Sequence, residues 1–357
     1  MSDSAEPSLK KRYAFKLAAN AANIPLNLAV NMVAPRLLGS SGFGVFSFLA
    51  DFFAAVAGFL DCGTSTYFYN RLSQKPDEHG FKRFYAGLVL VIIGGCILCV
   101  SLINVAGLAP LIWPNTTTRL VWYGLAFAMF TWLSQVLNKM VDAYGLTVAG
   151  ELVRVGHRIF LASSLGLFLL LEADSLDAFF LCQILLMALL CCAWAELLRR
   201  KGVVVVPGNK LAKEEIRSMA REAWSYSSPL LVFSAVNLLA LLVDRWILQK
   251  FFGTQQQGYF GLGLKVGTVC FLFTSAMTPL LMREFSKAVA TGDTERIRRD
   301  FRRFLPGFFM LSAYFGIFTA SQAETVTLLF GGEEEAHGSN LEPKAEVALL
   351  LRAKKLL

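Results

Sequence analysis

Residues 83–108 read RFYAGLVLVIIGGCILCVSLINVAGL, and the only charge among them is Arg83 at the start. Roughly 20 mostly apolar residues suffice for a helix to cross the hydrocarbon core of a bilayer, so this run is long enough to span it. Comparable stretches lie on either side, at about 13–35, 43–68, 118–141, 150–171, 177–197, 223–249, 257–282 and 301–320. Composition agrees: 55% hydrophobic and 17% charged residues, with 30 Phe, is too apolar for a soluble domain of 357 residues. The expected class is an all-α polytopic membrane protein with about nine transmembrane helices. The stretch at 150–171 is the weakest, because Arg154, His157 and Arg158 interrupt its first turns. Lys10, Lys11 and Arg12 imitate the start of a signal peptide, but Asn20, Asn23, Asn27 and Asn31 break the apolar run behind them, which predicts an uncleaved first helix.

Alternate connections differ in Lys and Arg, and cationic loops are retained on the cytoplasmic side. Lys10, Lys11, Arg12 and Lys16 precede the first span, and Arg71, Lys75, Lys82 and Arg83 mark the second connection. The sixth and eighth connections are equally basic, from Arg199 to Arg221 and from Arg283 to Arg303. Between them lie short, weakly charged turns such as Asn115 to Thr118, and the acidic Glu172, Asp174 and Asp177. The N-terminus is therefore expected in the cytoplasm. The net charge of +8 resides in these juxtamembrane loops, where topology and anionic lipid account for it, so no nucleic-acid partner is expected. The seven Cys and three His form no pair or cluster at metal spacing; no disulfide, metal or cofactor is expected.

The chain also repeats itself. Arg36-Leu37-Leu38-Gly39, four residues and Gly44-Val45-Phe46 return 214 residues later as Lys250-Phe251-Phe252-Gly253, four residues and Gly258-Tyr259-Phe260. The same offset places Asn23 on Asn237, Asn31 on Arg245 and Asp51 on Lys265. An even number of spans separates the copies, which predicts parallel lobes related by an axis along the membrane normal. Gly39 and Gly253 are expected to end helices in a left-handed conformation, with Gly44 and Gly258 opening the next spans.

Polar groups inside spans mark where function resides. Asn20, Asn23, Asn27 and Asn31 fall on one stripe of the first helix, and Gln135, Asn138 and Asp142 on a shorter stripe of the fourth. Interhelical hydrogen bonding is the structural explanation; the wall of a hydrated cavity is the functional one. A charge near the bilayer centre costs roughly 2.5–3.5 kcal/mol on insertion scales, which draws notice to Asp51 in the second span and Lys265 at equal depth in the eighth. A buried ion pair between them is the structural explanation. Arg36, Arg119, Asp244 and Arg245 add a mainly cationic rim; for Arg36, Arg119 and Lys250 snorkelling to headgroups is the alternative. Amides suit sugar hydroxyls and cations suit phosphate, so the pattern fits an anionic, glycosylated ligand.

With these residues in place, the chain resembles the polysaccharide flippases of the multidrug/oligosaccharidyl-lipid/polysaccharide (MOP) exporter superfamily, in the O-antigen or exopolysaccharide (Wzx-type) branch. The resemblance rests on Ala34-Pro35-Arg36-Leu37-Leu38-Gly39 to Gly42-Phe43-Gly44-Val45-Phe46. It rests equally on Asp244-Arg245-Trp246-Ile247-Leu248 to Phe252-Gly253 and Gly258-Tyr259-Phe260, and it covers Lys11 to Gly332. It implies a MATE/MOP-like two-lobe helical bundle around a central cavity. It also implies export of undecaprenyl-pyrophosphate-linked oligosaccharide across the bacterial inner membrane, by alternating access, for lipopolysaccharide or other surface polysaccharide biosynthesis.

In that reading Arg36, Arg245 and Lys265 draw the pyrophosphate, Asn23, Asn27, Asn31 and Asn138 line the sugar path, and ion coupling makes Asp51 a candidate protonation site. The implied partners are lipid-linked oligosaccharide, membrane lipids and the polysaccharide polymerase machinery, with a monomer as the default state. The expected organisation is an N-terminal six-helix lobe at 1–197, a cytoplasmic linker at 198–222, a partial C-terminal lobe of about three helices at 223–330 and a polar tail at 331–357. Relatives have twelve or more spans, and Gly331 to Leu357 turns abruptly polar, so a C-terminally truncated or frameshifted reading frame with an incomplete second lobe is expected. The alternatives are an ion-coupled drug exporter of the same fold, which calls for acidic cavity walls, and a non-transporting truncated remnant. A membrane enzyme such as a polymerase would need a large outer loop, and every outer connection here is short.

Overall fold

The computed structural model describes residues 9–75, 78–171, 175–203, 212–265, 267, 294–322 and 325. Helix dominates the described residues and no strand occurs among them. In chain order the helices are α1 (Leu9–Asp61), α2 (Thr64–Gln74), α3 (His79–Val105), α4 (Ala109–Ile112), α5 (Thr118–Ala143), α6 (Thr147–Leu170), α7 (Leu176–Arg200), α8 (Lys213–Phe251), α9 (residues 253–265) and α10 (Thr294–Ser321). Six segments among the described residues are long and apolar enough to cross a membrane: Met32–Asp61, His79–Val105, Thr118–Ala143, Thr147–Leu170, Leu176–Arg200 and Lys213–Phe251. This is a membrane protein of multiple apolar helices.

The first expected span lies within α1, and most of the eighth lies outside the described residues. The ninth is helical as α10, but Arg298, Arg299, Arg302 and Arg303 crowd its first half, and it is not one of the six. The side chains of Asn20, Asn23, Asn27 and Asn31, and the tail from residue 331, also lie outside the described part.

Two turns shape the N-terminal half. At Gly39 the backbone takes φ 64 and ψ 174, which splits α1 into two arms. Only glycine reaches that conformation without a steric penalty. The second arm does not continue to residue 68 as the sequence suggests: Cys62 and Gly63 have φ 40 and φ 78, and the chain restarts as α2. The Asp61 carboxylate supports this break by accepting from the Ser65 hydroxyl at 2.7 Å, the Ser65 backbone N–H at 3.2 Å and the Thr64 hydroxyl at 3.3 Å. At the other end of this half, α7 runs to Arg200 and α8 begins at Lys213, so helix claims much of the stretch expected to be a linker.

Aromatic packing holds α1, α2, α3, α5 and α7 together, with Phe48, Phe53, Phe68, Phe81, Trp113, Trp132, Phe180 and Trp194 all buried. Phe68 stacks on Tyr85 at 4.0 Å between ring centroids. Lipid tails are as apolar as Leu, so close packing and dispersion rather than the hydrophobic effect must favour these contacts. Gly124 serves that end: a Cβ there would lie 2.8 Å from the Leu49 Cβ, so α5 approaches α1 more closely than any other residue allows. A second cluster, including Ala34, Leu37, Phe43, Leu161, Leu165 and Leu262, joins α1 to α6 and to α9.

Of the groups that weaken 150–171 as a span, Arg154 is matched internally. Arg154 donates to the Asn138 side-chain oxygen at 2.8 Å and pairs with Glu151 at 3.2 Å, so α6 stays continuous.

Candidate functional site

Between the second arm of α1 and α8 lies a cavity of about 430 Å³. Asp51, Ala54, Ala55, Gly58 and Phe59 line it from α1, and Phe233, Ser234, Asn237, Leu241 and Arg245 from α8. Spacings of three and four residues put each set on one helical face. The walls are apolar along their length, with polar groups placed at intervals along α8 and an ion pair at one end.

That ion pair is the chemical centre of the site. Arg245 Nη2 lies 2.5 Å from Asp51 Oδ2; the Arg245 side chain is 9% exposed and that of Asp51 38%. The Arg245 guanidinium also sits 5.6 Å from the centre of the Phe260 ring on α9. Its Nη1 is buried and has no hydrogen-bond partner. A guanidinium carries five N–H donors in a planar fork matched to carboxylate and phosphate, and here the Nη1 donors are unused.

Towards the Gly39 end the seam closes completely. A Cβ on Gly44 would lie 1.9 Å from the Thr254 carbonyl oxygen, and one on Gly258 would lie 2.0 Å from the Ser40 carbonyl oxygen. Ser40 and Thr254 occupy equivalent positions in the two repeats, as do Gly44 and Gly258. The contact therefore has the reciprocity of a two-fold interface, in which i touches j and j touches i. One turn further on, Gly261 packs on its equivalent Ser47, with a Cβ 2.8 Å from the Ser47 hydroxyl. The Ser41 and Thr254 hydroxyls are 2.6 Å apart. Gly253, like Gly39, is left-handed, with φ 85.

Beside this crossing, the turn after α4 reaches over to α8. Gln249, fully buried, donates from its side chain to the Pro114 carbonyl at 3.2 Å, and its own carbonyl accepts from the Asn115 side chain at 2.9 Å. The Trp246 indole N–H donates to the Leu111 carbonyl at 3.0 Å.

The Gly63 end is built differently. The Cys62 thiol donates to the Ser227 carbonyl at 3.4 Å, and Gly63 leaves room for Leu230. Arg71 pairs with Glu78 at 2.6 Å and with Glu222 of α8, while the Tyr67 hydroxyl donates to Glu222 at 3.0 Å and its ring lies 5.5 Å from Tyr226. The hydrogen bond from Arg71 holds the Glu78 carboxyl below its usual range, and Glu78 in turn raises Arg71. Burial raises the Tyr67 phenol.

The expected site residues fall in several places. Asp51 and Arg245 meet at the cavity. Lys265, which the repeat sets opposite Asp51, is half-buried near the end of the described part of α9; Asp51 pairs with Arg245 instead. Asn138 binds Arg154 within the N-terminal half rather than lining the cavity. Arg36 is exposed near the end of the first arm of α1. The side chains of Asn23, Asn27 and Asn31 are not described. Asn237 and Ser234 line the cavity without having been assigned to it; the offset that maps Asn23 onto Asn237 was the available signal. Phe59 and Phe233 carried none, because an apolar residue in a span does not announce which way it faces.

Comparison by sequence with protein families and with curated proteins finds no match. Comparison of structures finds a solved inward-facing conformation of a multidrug resistance MATE family transporter of the MOP superfamily. The TM-score is 0.61 at 14% sequence identity, over 90% of this chain and 74% of that one. The chain has a MATE/MOP-like fold. In that fold the α1–α8 seam, with its cavity and its ion pair, lies between elements of the two repeats.

Proposed function

We propose that this chain is a transporter of the MOP superfamily that moves lipid-linked oligosaccharide across the bacterial inner membrane by alternating access. The undecaprenyl-pyrophosphate-linked class is the substrate the resemblance points to. The observation that carries this reading is Arg245: a buried guanidinium in the cavity wall that pairs with Asp51 through Nη2 and keeps Nη1 without a hydrogen-bond partner. A phosphate oxygen satisfies that group, whereas a hydrophobic cation is repelled by it. Asn237 and Ser234 offer hydrogen bonds to sugar hydroxyls along the same wall, and the lipid tail stays in the bilayer while the head crosses. Lys265 and Arg36 are assigned to the same anionic path, with Asn23, Asn27 and Asn31 as further amides, Asn138 being engaged by Arg154 instead, and Asp51 is the candidate for ion coupling.

The basic loops support a cytoplasmic N-terminus, which would set the Gly39 and Gly253 turns on the outer side. In this reading a cytoplasmic linker joins an N-terminal lobe to a C-terminal one, polymerase machinery is the expected partner and no enzymatic step is assigned. Drug export is the second reading, favoured by the description of the structural neighbour. Against it, the one acid among the described residues lining the cavity, Asp51, is already paired with Arg245.

Complementation of a strain lacking its polysaccharide flippase tests the reading. Surface polysaccharide is expected to return with this chain and to vanish again in R245E, at unchanged membrane level. Export that persists in both R245E and K265E removes the anionic assignment, and drug efflux in place of polysaccharide replaces it with the second reading.

A further inference from the structure

We propose that the inward face of α6 carries a second anion site, at which Arg158 and His157 bind a phosphate group. The site is separate from the cavity at Arg245 and concerns binding alone, so it holds whether or not the chain moves oligosaccharide.

Arg158 points into the bundle. On α6 Gly150, Glu151, Leu161 and Leu165 are buried, while Leu152, Ile159 and Phe160 are exposed. At about 100° per residue, Arg158 falls in the middle of the buried arc and His157 at its edge. Along that arc Leu161 and Leu165 pack in one cluster with Ala34, Leu37 and Phe43 of α1, Phe179 of α7 and Leu262 of α9. Arg158 is also deep. It lies eleven residues beyond Thr147, about 16 Å along the helix at 1.5 Å per residue. A charge that far into a span faces protein, water or a ligand and not lipid tails.

Among the described residues nothing neutralises it. Arg158 is half-buried and makes neither an ion pair nor a hydrogen bond among them, and the His157 Nε2 atom beside it is buried without a partner. The acids on the helices packed against α6 are engaged elsewhere: Glu151 with Arg154, Asp177 with Arg119, Glu196 with Arg199 and Arg200, and Asp51 with Arg245. Asp61 accepts from Ser65 and Thr64. Asp142 lies one turn beyond Asn138, and Asn138 already meets Arg154, so Asp142 is on the far side of Arg154 from Arg158. The first arm of α1 offers no acid at all: residues 9–38 include Lys10, Lys11, Arg12, Lys16 and Arg36 but neither Asp nor Glu. Residues 253–265 of α9 likewise contain none.

An interior guanidinium without a counter-charge is strongly destabilising, so the negative charge has to come from outside the chain. A phosphate oxygen supplies it. The guanidinium fork pairs with phosphate through charge-assisted hydrogen bonds, and His157 adds a donor from Nε2. The group arrives either on a lipid or as a free anion in water, and the experiment separates these sources.

The test uses the full chain in detergent, stripped of lipid and carrying D51N and R245Q so that the cavity contributes no guanidinium. Inorganic diphosphate, phosphatidylglycerol and a polyprenyl diphosphate are titrated in turn, with uncharged polyprenol as the blank, and binding is read from the rise in melting temperature. At least one phosphate-bearing probe is expected to bind, and adding R158Q should weaken it about tenfold, the scale of a lost charge-assisted contact. H157Q should weaken it less. A response to diphosphate identifies a free anion, one to phosphatidylglycerol alone a headgroup, and one to the polyprenyl compound alone an isoprenoid carrier; each fulfils the proposal. Absence of binding by all three, or equal binding with and without R158Q, overturns it.

A second readout needs no ligand. R158M keeps the apolar stem and removes the charge, so in stripped protein it is expected to melt at or above its parent. A lower melting temperature in R158M means that a protein group already neutralises Arg158, and the site falls. Either result leaves the transport assignment to be decided by complementation.

Discussion

At the Gly39 end the seam is closed by Gly44, Gly258 and Gly261, whose backbones meet carbonyls and hydroxyls at van der Waals distance. At the Gly63 end it is closed by Arg71, Glu78, Glu222, Tyr67 and Tyr226, through charge-assisted hydrogen bonds and ring contact. The first kind of contact depends on shape and tolerates no added atom. The second depends on charge, and so on pH and salt, and tolerates conservative exchange. One helix, α8, spans both: its Trp246 and Gln249 serve the Gly39 end and its Glu222 and Tyr226 the other. The cavity between them is therefore bracketed by a steric seal on one side and an electrostatic clamp on the other, and the two respond to different perturbations.

The largest effect is expected at the steric end. G258V places a branched side chain where even a Cβ lies 2.0 Å from the Ser40 carbonyl oxygen, and export should be abolished while the aromatic core of the N-terminal half stays folded. Limited proteolysis together with the polysaccharide assay checks this; wild-type export in G258V would mean that the crossing is not a required state.

Next comes the ion pair between the two ends. R245A leaves Asp51 without its partner and should lower stability in detergent by about 3 kcal/mol, the lower end of the loss for a buried pair, because the remaining carboxylate is 38% exposed. Pairing R245Q with D51N should recover much of the melting temperature and none of the export. Recovery of both would reduce the pair to a structural role.

A smaller loss, about 1–3 kcal/mol, is expected for Q249L, which strips a buried hydrogen bond from the Pro114 carbonyl without touching the cavity. Thermal melting measures it, and an unchanged melting point would show that the turn after α4 does not hold α8.

The smallest effect belongs to the clamp. The Glu78 carboxyl is lowered by Arg71, so its contribution is present above the unfolded glutamate value of about 4.3 and fades as pH falls through the lowered folded value. E78Q should melt slightly below wild type at neutral pH, by at most about 1 kcal/mol, and the two curves should converge only on the acid side of that range. A gap that persists into acid would assign the difference to packing instead of charge.

Much of the membrane architecture was legible from one dimension. Apolar runs such as 83–108 announce themselves because a bilayer requires length and hydrophobicity and little else, and the turn at Gly39 was legible because only glycine takes that φ cheaply. The break at Cys62 and Gly63 was not, since it is enforced by the Asp61 carboxylate reaching Ser65 and Thr64, and an acid at a span end reads equally well as a snorkelling charge. The site was half legible. Asp51 and Arg245 stood out as charges in apolar surroundings, but their pairing did not, because the 214-residue offset matches equivalent residues while contacts form between residues that face each other.

The sequence by itself determined that the chain spans a membrane many times, that two glycine turns recur at a fixed offset, and that charge inside the spans is concentrated at a few positions. These follow from the solvent and from backbone sterics, which act on each segment separately. Only the tertiary structure decided that Gly44 meets Thr254 while Gly258 meets Ser40, that Asp51 is held by Arg245 rather than Lys265, and that Asn138 is engaged by Arg154 away from the cavity. Those choices depend on how helices tilt and rotate against one another, and that is set by the summed packing of every face at once.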